Sequence, residues 1–282
     1  MKILKKYFLR KKMEESKYYK IRSAELLYSK GAKIEPWYLY IILALLNKFP
    51  TKLVMPLKVF FKTFRIRCNF TVLNRVMHFY LYSNFYDFKY HGGMAHEIRV
   101  SENLLRLTPQ SSVLFDIGCA TGWYSILLSA KCEKILGFDP YDQSSLPNIK
   151  LNGIKNFELY PYFLSDHQDS GKVKTTTLDN LVKNNFPWPD IIKMDVECEE
   201  YKILLGAKDL FSSRPPKIVL IEAHSEELFY NCLNFLKSYN YNLYSLGCPK
   251  INVGGDIYPL SYNLNTDVFT TQSETRVLLG LK

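Results

Sequence analysis

The sequence of 282 residues lacks several features that mark whole classes of protein. Its longest uninterrupted apolar run, Trp37–Leu46, has ten residues, whereas a helix that crosses a bilayer needs about 20. No apolar segment directly follows the basic N-terminus, so a signal peptide is not expected. Glycine and proline number only 13 each, which excludes collagen-like and low-complexity proteins. A cytoplasmic globular protein, in peripheral contact with a membrane at most, is the resulting expectation.

Cysteine is sparse and its spacing carries no metal or redox signature. The six cysteines form no Cys-x-x-Cys pair, so we expect free thiols in a reducing compartment and no zinc site. They are Cys68, Cys119, Cys132, Cys198, Cys232 and Cys248.

Charge is distributed unevenly between two regions. Residues 1–92 hold 19 Lys and Arg against 5 Asp and Glu, a net charge of +14, and 20 of the 42 aromatic residues. Residues 93–282 carry a net charge of −4. This asymmetry predicts two domains divided at residue 92. The first region is predicted to be mainly helical, with a basic amphipathic stretch at 53–67.

From residue 113 onward, short apolar strands alternate with amphipathic segments. Several strands, such as Lys217–Ile221, are almost wholly apolar, which is typical of a parallel sheet covered by helices on both faces. The predicted strands are 113–117, 134–138, 157–161, 190–194, 217–222, 241–245 and one near 267–271. The predicted helices are 97–106, 123–131, 177–184, 199–211 and 225–239.

The first of these strands ends in a glycine-containing loop of the type that binds nucleotides. The loop reads D-I-G-C-A-T-G from Asp116 to Gly122, and Asp139 follows Gly118 by 21 residues at the end of the next strand. Glycines permit a tight turn and a close ligand, and an acid at the second strand end can accept ribose hydroxyls. A pyrophosphate cradle would have glycine where Ala120 stands. A carboxylate at position 116 suits a ligand with an ammonium or sulfonium group, so S-adenosylmethionine is favoured over NAD.

A second group of polar residues follows the fourth and fifth strands. After the fourth strand, polar side chains occupy every second position: Lys193, Asp195 and Glu197. The next strand ends with Glu222 and His224. Since the carboxyl ends of parallel strands share one edge of the sheet, we expect these residues to lie near the loop 116–122.

With these pieces the sequence resembles the FkbM-type family of S-adenosylmethionine-dependent methyltransferases, over residues 97–271. The matching motifs are D-I-G-C-A-T-G at 116–122, F-D-P at 138–140, L-S-D at 164–166, T-L-D-N-L at 177–181, I-K-M-D-V-E at 192–197, L-L-G-A at 204–207 and I-E-A-H at 221–224. The resemblance implies a Rossmann-like class I methyltransferase fold: α/β, with a mostly parallel sheet of seven strands, here with an N-terminal helical extension.

The resemblance also implies the cofactor contacts. Asp116, Gly118, Cys119 and Gly122 would surround the methionine part of the cofactor. Asp139 would bind the ribose, Asp166 would lie near the adenine, and Asp195 would lie beside the transferred methyl group. Two departures occur: the first loop has Cys-Ala-Thr where the family often has Ala-Asn-x, and Cys198 replaces a usual glycine and could crowd the fourth loop.

A hydroxyl acceptor needs a base, and His224 and then Asp195 are the candidates, with Glu222 orienting. Alternatively, Asp195, Glu222 and His224 could hold Mg²⁺ or another divalent metal, which is not favoured. Lys193 is either catalytic or an ion-pair partner of Asp195 or Glu222. Glu199 and Glu200 are expected to be first-turn helix acids, Ser225 a helix N-cap, and Thr177 and Asp179 a helix start.

The expected function is O-methylation of a sugar, glycolipid or secondary metabolite. The basic front region is then a cap over the acceptor pocket or a contact with an anionic membrane. Nucleic acid is a weaker partner, because Asp195-Val-Glu197 stands where an adenine methyltransferase has Asp/Asn-Pro-Pro-Tyr. Ribose 2′-O-methylation of RNA and a non-catalytic binding scaffold remain the alternatives.

Overall fold

The computed structural model of the chain describes residues 33–35, 65–82, 98–141, 143–245 and 276–282. The chain divides into two compact units, residues 1–98 and 99–282, and each is considered by itself. No helix among the described residues has the length and apolar character that crossing a membrane requires.

The described part of the first unit is a three-stranded antiparallel sheet. Its strands are β1 (Lys33–Glu35), β2 (Arg65–Val72) and β3 (Arg75–Tyr82), in the order β1-β2-β3. β2 and β3 form a hairpin in which Leu73 takes a left-handed conformation, with φ of 52°. Met77 and Phe79 are buried on one face of this hairpin, whereas Val76 is exposed.

The helical prediction for residues 1–92 is therefore wrong for the residues that the structure describes. Between residues 65 and 72 apolar side chains occur at every second position, which is the period of a strand and not of a helix. Aromatic and β-branched residues, common in this segment, also favour strands. The remaining residues of 1–92, including 53–64 of the basic stretch and the predicted domain boundary, lie outside the described residues.

The second unit alternates helices and strands along the chain. In order, its elements are α1 (Ile98–Leu107), β4 (Ser112–Ile117), α2 (Trp123–Leu128), β5 (Cys132–Phe138), α3 (Ser145–Leu151), β6 (Phe157–Tyr160), β7 (Phe163–Leu164), β8 (Thr175–Thr176), α4 (Leu178–Lys183), β9 (Ile191–Met194), α5 (Glu200–Leu205), α6 (Lys208–Ser213), β10 (Ile218–Ala223), α7 (Glu226–Ser238), β11 (Asn242–Ser245) and β12 (Arg276–Leu281). β7 and β8 form a separate two-stranded sheet.

The central sheet has seven strands in the order β11-β12-β10-β9-β4-β5-β6. All neighbouring pairs are parallel except those that β12 makes with β10 and β11. All six residues of β4 are buried, as expected for a strand covered on both faces. The class I methyltransferase sheet that the sequence predicts is therefore confirmed.

Most predicted elements have bounds within two residues of those observed. Helix α2 ends at Leu128, three residues before the predicted end at residue 131. The segment 267–271 lies outside the described residues, and the last strand of the sheet is instead Arg276–Leu281. The predicted helix 199–211 is two helices separated at Gly206, where a Cβ atom would lie 2.2 Å from the Ser165 carbonyl oxygen. The sequence does not predict helix α3, because this helix is short, with seven residues, and has a proline, Pro147, at its third position.

Strand register brings the predicted site residues to one edge of the sheet. Asp116 pairs with Gly137 of β5 on one side and with Lys193 of β9 on the other. Met194, in turn, pairs with Ile221 of β10. The segments that follow these strands, which carry the polar residues of the site, therefore leave the sheet next to one another.

Candidate active site

The loop after β4 is packed tightly against the loop after β9. Gly118 has φ of 69°, and its N–H donates to the Phe138 carbonyl oxygen at 2.9 Å. A Cβ atom built on Gly118 would lie 1.9 Å from the Asp195 carbonyl oxygen. Gly122 has φ of 83° and precedes α2, with Ser145 of α3 against it. Both glycines are thus required by backbone conformation and by close neighbours.

Asp116 lies beneath this loop, where its side chain is only 1% exposed. Its Oδ2 accepts hydrogen bonds from the Ser125 N–H at 3.0 Å and the Ser125 hydroxyl at 2.6 Å. Its Oδ1 is buried, accepts no hydrogen bond from the described residues and lies 3.6 Å from the Lys193 ammonium. This burial gives Asp116 a part in positioning α2 and Lys193.

Lys193 connects the two loops from inside the protein. Its side chain is 6% exposed, and its ammonium donates to the Gly118 carbonyl oxygen at 2.9 Å. The same ammonium lies 3.6 Å from Asp116 and 3.7 Å from Asp195. Of the two roles considered for Lys193, ion pairing is the one that this geometry displays. We therefore regard it as a positioning residue.

Asp139 stands at the end of β5, half-buried beside the first loop. Its two carboxylate oxygens accept backbone N–H groups, from Tyr141 at 3.1 Å and from Ala120 at 3.2 Å. Ala120 has a left-handed φ of 40°, which turns its N–H toward the carboxylate. The acid predicted to bind ribose is therefore held in a fixed orientation next to the glycine loop.

Cys119 is a packed side chain within the same loop. It is 4% exposed, and burial, together with the charges of Asp116 and Asp139, raises the pKa of its thiol well above the usual range. A thiol with a raised pKa is a poor nucleophile. Cys119 is therefore a packing residue of the loop and not a nucleophile.

The residues after β9 and β10 form a connected polar cluster. His224 Nδ1 and Glu200 Oε1 are 2.9 Å apart, and His224 Nε2 lies 3.6 Å from Asp195 Oδ1. One oxygen or nitrogen atom from each of Asp195, Glu222 and His224 lies within 4.8 Å of the others. The sequence prediction that these three residues meet agrees with the structure.

Glu200 is the member of this cluster that the sequence did not reveal. It is a first-turn acid of α5, as the sequence predicts, but it is 0% exposed and contacts His224. Its side chain orients His224 through the contact between Glu200 Oε1 and His224 Nδ1. The sequence signal was weak, because an acid at a helix start is common for reasons of the helix dipole alone.

The environment of His224 favours its protonated form. The hydrogen bond to Glu200, with the charges of Asp195, Glu200 and Glu222, outweighs partial burial and raises the pKa of His224 to about 9. At neutral pH the ring is therefore an imidazolium that lies between two carboxylates, Glu200 and Asp195. This makes Asp195 the stronger of the two predicted base candidates.

Three other predicted residues lie at the margin of this cluster. Glu197 and Cys198 are exposed, so Cys198 does not crowd the interior of the fourth loop. Its φ of 70° is one that glycine adopts more easily. Asp166 is also exposed, and its Oδ1 contacts His167 and Ser165. Ser165 in turn bonds Glu199, so the described contacts join Asp166 to the fourth loop and not to the first.

Helix starts near the site agree with the sequence. The Ser225 hydroxyl accepts from the Leu228 N–H at 3.1 Å as the N-cap of α7, directly after His224. The Thr177 hydroxyl caps α4 in the same way, at 3.0 Å from the Asn180 nitrogen. Asp179 accepts from two backbone N–H groups at the start of α6. These caps fix the segments that bear the site residues.

Residues 137–243 match the family model of the methyltransferase FkbM domain. The match covers the strands that carry Asp139, Asp195, Glu222 and His224, and it begins after the loop 116–122. No curated protein sequence matches the chain significantly.

Similar solved structures include several methyltransferases at low identity. A methyltransferase FkbM from Methylobacillus flagellatus KT is 15% identical, with a TM-score of 0.47 over 69% of this chain and 53% of its own. A precorrin-6y C5,15-methyltransferase from Geobacter metallireducens GS-15 is 17% identical, with a TM-score of 0.42 over 66% and 89%. A Streptococcus pneumoniae protein assigned as a tRNA (m1A22) methyltransferase, in complex with S-adenosyl-L-methionine, is 9% identical, with a TM-score of 0.39 over 65% and 72%.

The family model and the strand order of the sheet agree with each other. The part of the chain that carries the polar cluster, residues 137–243, is therefore similar to the FkbM methyltransferase domain.

Proposed function

We propose that the protein is an S-adenosylmethionine-dependent O-methyltransferase that acts on a hydroxyl group of a sugar, glycolipid or secondary metabolite. The observation that carries the proposal is the position of two features side by side at one sheet edge. One is the glycine loop with Asp139, and the other is the cluster of Asp195, Glu222 and His224. The first suits a nucleoside cofactor and the second suits an acceptor that must lose a proton.

The side chains and backbone groups at this edge of the sheet are of the types that bind S-adenosylmethionine. The glycine loop lies directly beside Asp139, whose carboxylate is oriented to accept ribose hydroxyls. S-Adenosylmethionine supplies a methyl group on a positively charged sulfur and loses that charge when the methyl group moves to another atom. Asp195 places a carboxylate at the end of the adjoining strand, where its negative charge would attract the positively charged cofactor.

The polar cluster would orient the acceptor and remove its proton. Asp195 accepts the hydroxyl proton, the acceptor oxygen forms its new bond to the methyl carbon, and the carbon–sulfur bond electrons stay on sulfur. His224 holds Asp195 through its imidazolium, and Glu200 fixes the ring from the buried side. Alignment of the acceptor and exclusion of water supply the rest of the rate.

An acceptor screen tests this proposal. The wild-type protein is incubated with methyl-labelled S-adenosylmethionine and defined panels of glycans, glycolipids, hydroxylated small molecules and RNA, and products are identified by mass spectrometry. We expect a methyl ether on a hydroxyl of the first three panels. Asp195→Asn should lower the rate by about 10²- to 10⁴-fold, the usual contribution of a general base.

Two results would contradict the proposal. The first is methyl transfer to nitrogen, and the second is an Asp195→Asn variant that is as active as the wild type. Transfer to a ribose 2′-hydroxyl of RNA would instead support the alternative acceptor. Asp209→Asn is a suitable control because Asp209 is an exposed acid that pairs with Lys183 and not with a residue of the cluster.

A further inference from the structure

The polar cluster combines three potential metal ligands with an orienting carboxylate behind the histidine. Asp195, Glu222 and His224 each present one ligand atom, and these atoms lie within 4.8 Å of one another. Two ligands on opposite sides of an ion, each at 2.0–2.6 Å, are separated by roughly 4–5 Å. The three side chains could therefore reach a single ion with small movements.

Glu200 provides an independent indication that His224 is arranged as a ligand. Histidines that bind metals almost always donate the N–H of their other ring nitrogen to a carboxylate or carbonyl. Here His224 Nδ1 is 2.9 Å from Glu200 Oε1, and Glu200 is 0% exposed. This contact directs Nε2 toward Asp195. An acid whose only purpose was to stabilise the start of α5 would not need to be buried against the ring.

The negative charge of the cluster also favours a cation site. The second oxygen of Glu200, Oε2, is buried and accepts no hydrogen bond from the described residues. Asp195, Glu200 and Glu222 all lie close to His224, and the Lys193 ammonium near Asp195 is shared with the buried Asp116. Carboxylates grouped in this way attract a divalent cation.

We infer that Asp195, Glu222 and His224 bind a divalent cation of the Mg²⁺ or Mn²⁺ class, with Glu200 as the carboxylate that orients His224. Two carboxylate oxygens and one imidazole nitrogen suit such ions and leave coordination positions for water or an acceptor oxygen. The cation competes with the proton on His224, because Nε2 must be unprotonated to coordinate.

The chemical consequence of the site rests on the proposed function. An acceptor hydroxyl bound to the cation loses its proton more easily, since the metal stabilises the oxyanion. The O–H bond would break and its proton would pass to a carboxylate oxygen of the cluster. The acceptor oxygen would then bond to the methyl carbon as the carbon–sulfur bond breaks and its electron pair stays on sulfur. This arrangement favours acceptors with two neighbouring oxygens, as in sugar diols, because both oxygens can bind one ion.

Binding of Mn²⁺ tests the site without any acceptor or cofactor. The six-line electron paramagnetic resonance signal of free Mn²⁺ decreases when the ion binds, so a titration gives stoichiometry and Kd. We expect one Mn²⁺ per wild-type chain with a Kd at or below about 100 µM, toward the weaker end of protein sites. Pulsed spectra of the bound ion should show coupling to an imidazole nitrogen.

Substitutions distinguish the acid that binds the ion, the acid that orients His224 and a nearby acid that does neither. Glu222→Gln removes a ligand and should raise the Kd for Mn²⁺ at least about tenfold, and Glu200→Gln about 10- to 100-fold, as for other orienting carboxylates. His224→Gln should abolish the nitrogen coupling. Glu227→Gln is the matched control, because Glu227 is an exposed acid three residues after His224, and it should leave the Kd unchanged. Circular dichroism identifies any variant that has not folded.

A folded wild-type protein that binds no Mn²⁺ would overturn the inference, and so would equal loss of affinity in Glu222→Gln and Glu227→Gln. Binding of S-adenosylmethionine, measured on the same samples, reports on the proposed function separately. A protein that binds the cofactor but no Mn²⁺ loses only the metal site. A protein that binds Mn²⁺ but no cofactor retains the metal site and loses the proposed function.

Discussion

Gly118→Ala is expected to lower the free energy of unfolding by about 2–5 kcal/mol and to remove cofactor binding. A left-handed conformation costs a residue with a Cβ atom roughly 1–2 kcal/mol. The new Cβ would also lie 1.9 Å from the Asp195 carbonyl oxygen, and relief of such overpacking typically costs about 1–3 kcal/mol more. The backbone movement would separate the glycine loop from the loop that bears Asp195. Chemical denaturation and calorimetric titration measure the two effects.

Gly153 provides the control for this variant. It also has a left-handed φ, 65°, but a Cβ atom there would meet nothing within 4 Å. Gly153→Ala should therefore cost only the conformational part, about 1–2 kcal/mol, and leave cofactor binding intact. Equal destabilisation by the two alanines would show that contact between the two loops does not explain the requirement for Gly118.

Lys193→Met is expected to lower the free energy of unfolding by about 3–5 kcal/mol, which is the usual cost of breaking a buried ion pair from one side. The substitution removes the cation 3.6 Å from Asp116 Oδ1, a buried atom with no hydrogen bond from the described residues. It also removes the donor to the Gly118 carbonyl oxygen. Denaturant titration of Lys193→Met, Asp116→Asn and the double variant that combines them measures the coupling.

The loss in free energy of unfolding should be smaller for the double variant than the sum of the losses for the two single variants, since the double variant leaves no buried charge unpaired. Lys217→Met is the matched control: Lys217 lies 3.1 Å from Asp190, but its side chain is 61% exposed. Exposed ion pairs contribute about 0–1 kcal/mol. A Lys193→Met variant as stable as Lys217→Met would contradict the role assigned to Lys193.

The sheet and the location of the site could be predicted from the sequence because both depend on short-range patterns. Continuous apolar strands, glycines with a following acid, and polar residues at strand ends each fall within a few consecutive residues. Parallel topology then brings Asp116, Asp139, Asp195 and His224 to one edge without further information. For this reason Asp195, Glu222 and His224 meet as expected.

Features that depend on packing between distant segments were missed. Glu200 contacts His224 because α5 and α7 pack together, which nothing near residue 200 indicates. The buried ion pair of Lys193 with Asp116 depends likewise on strand register. The hairpin of β2 and β3 was missed for another reason: the abundance of basic residues was interpreted as an amphipathic helix, although the apolar positions between 65 and 72 have a period of two.

The binding of S-adenosylmethionine by isothermal titration calorimetry tests the central claim most directly. Measurements on the wild type, Asp139→Asn and Asp169→Asn compare two acids in the same local arrangement. Each accepts a backbone N–H from two residues onward, at 3.1 Å, but only Asp139 adjoins the glycine loop. Hydrogen bonds to a charged group contribute about 1.5–3 kcal/mol, so Asp139→Asn should weaken binding roughly 10- to 100-fold.

The account predicts a wild-type protein that binds one S-adenosylmethionine per chain, an Asp139→Asn variant with much weaker binding, and an Asp169→Asn variant with unchanged binding. A folded wild-type protein that binds no S-adenosylmethionine would contradict the account, and so would an Asp139→Asn variant that binds as tightly as the wild type.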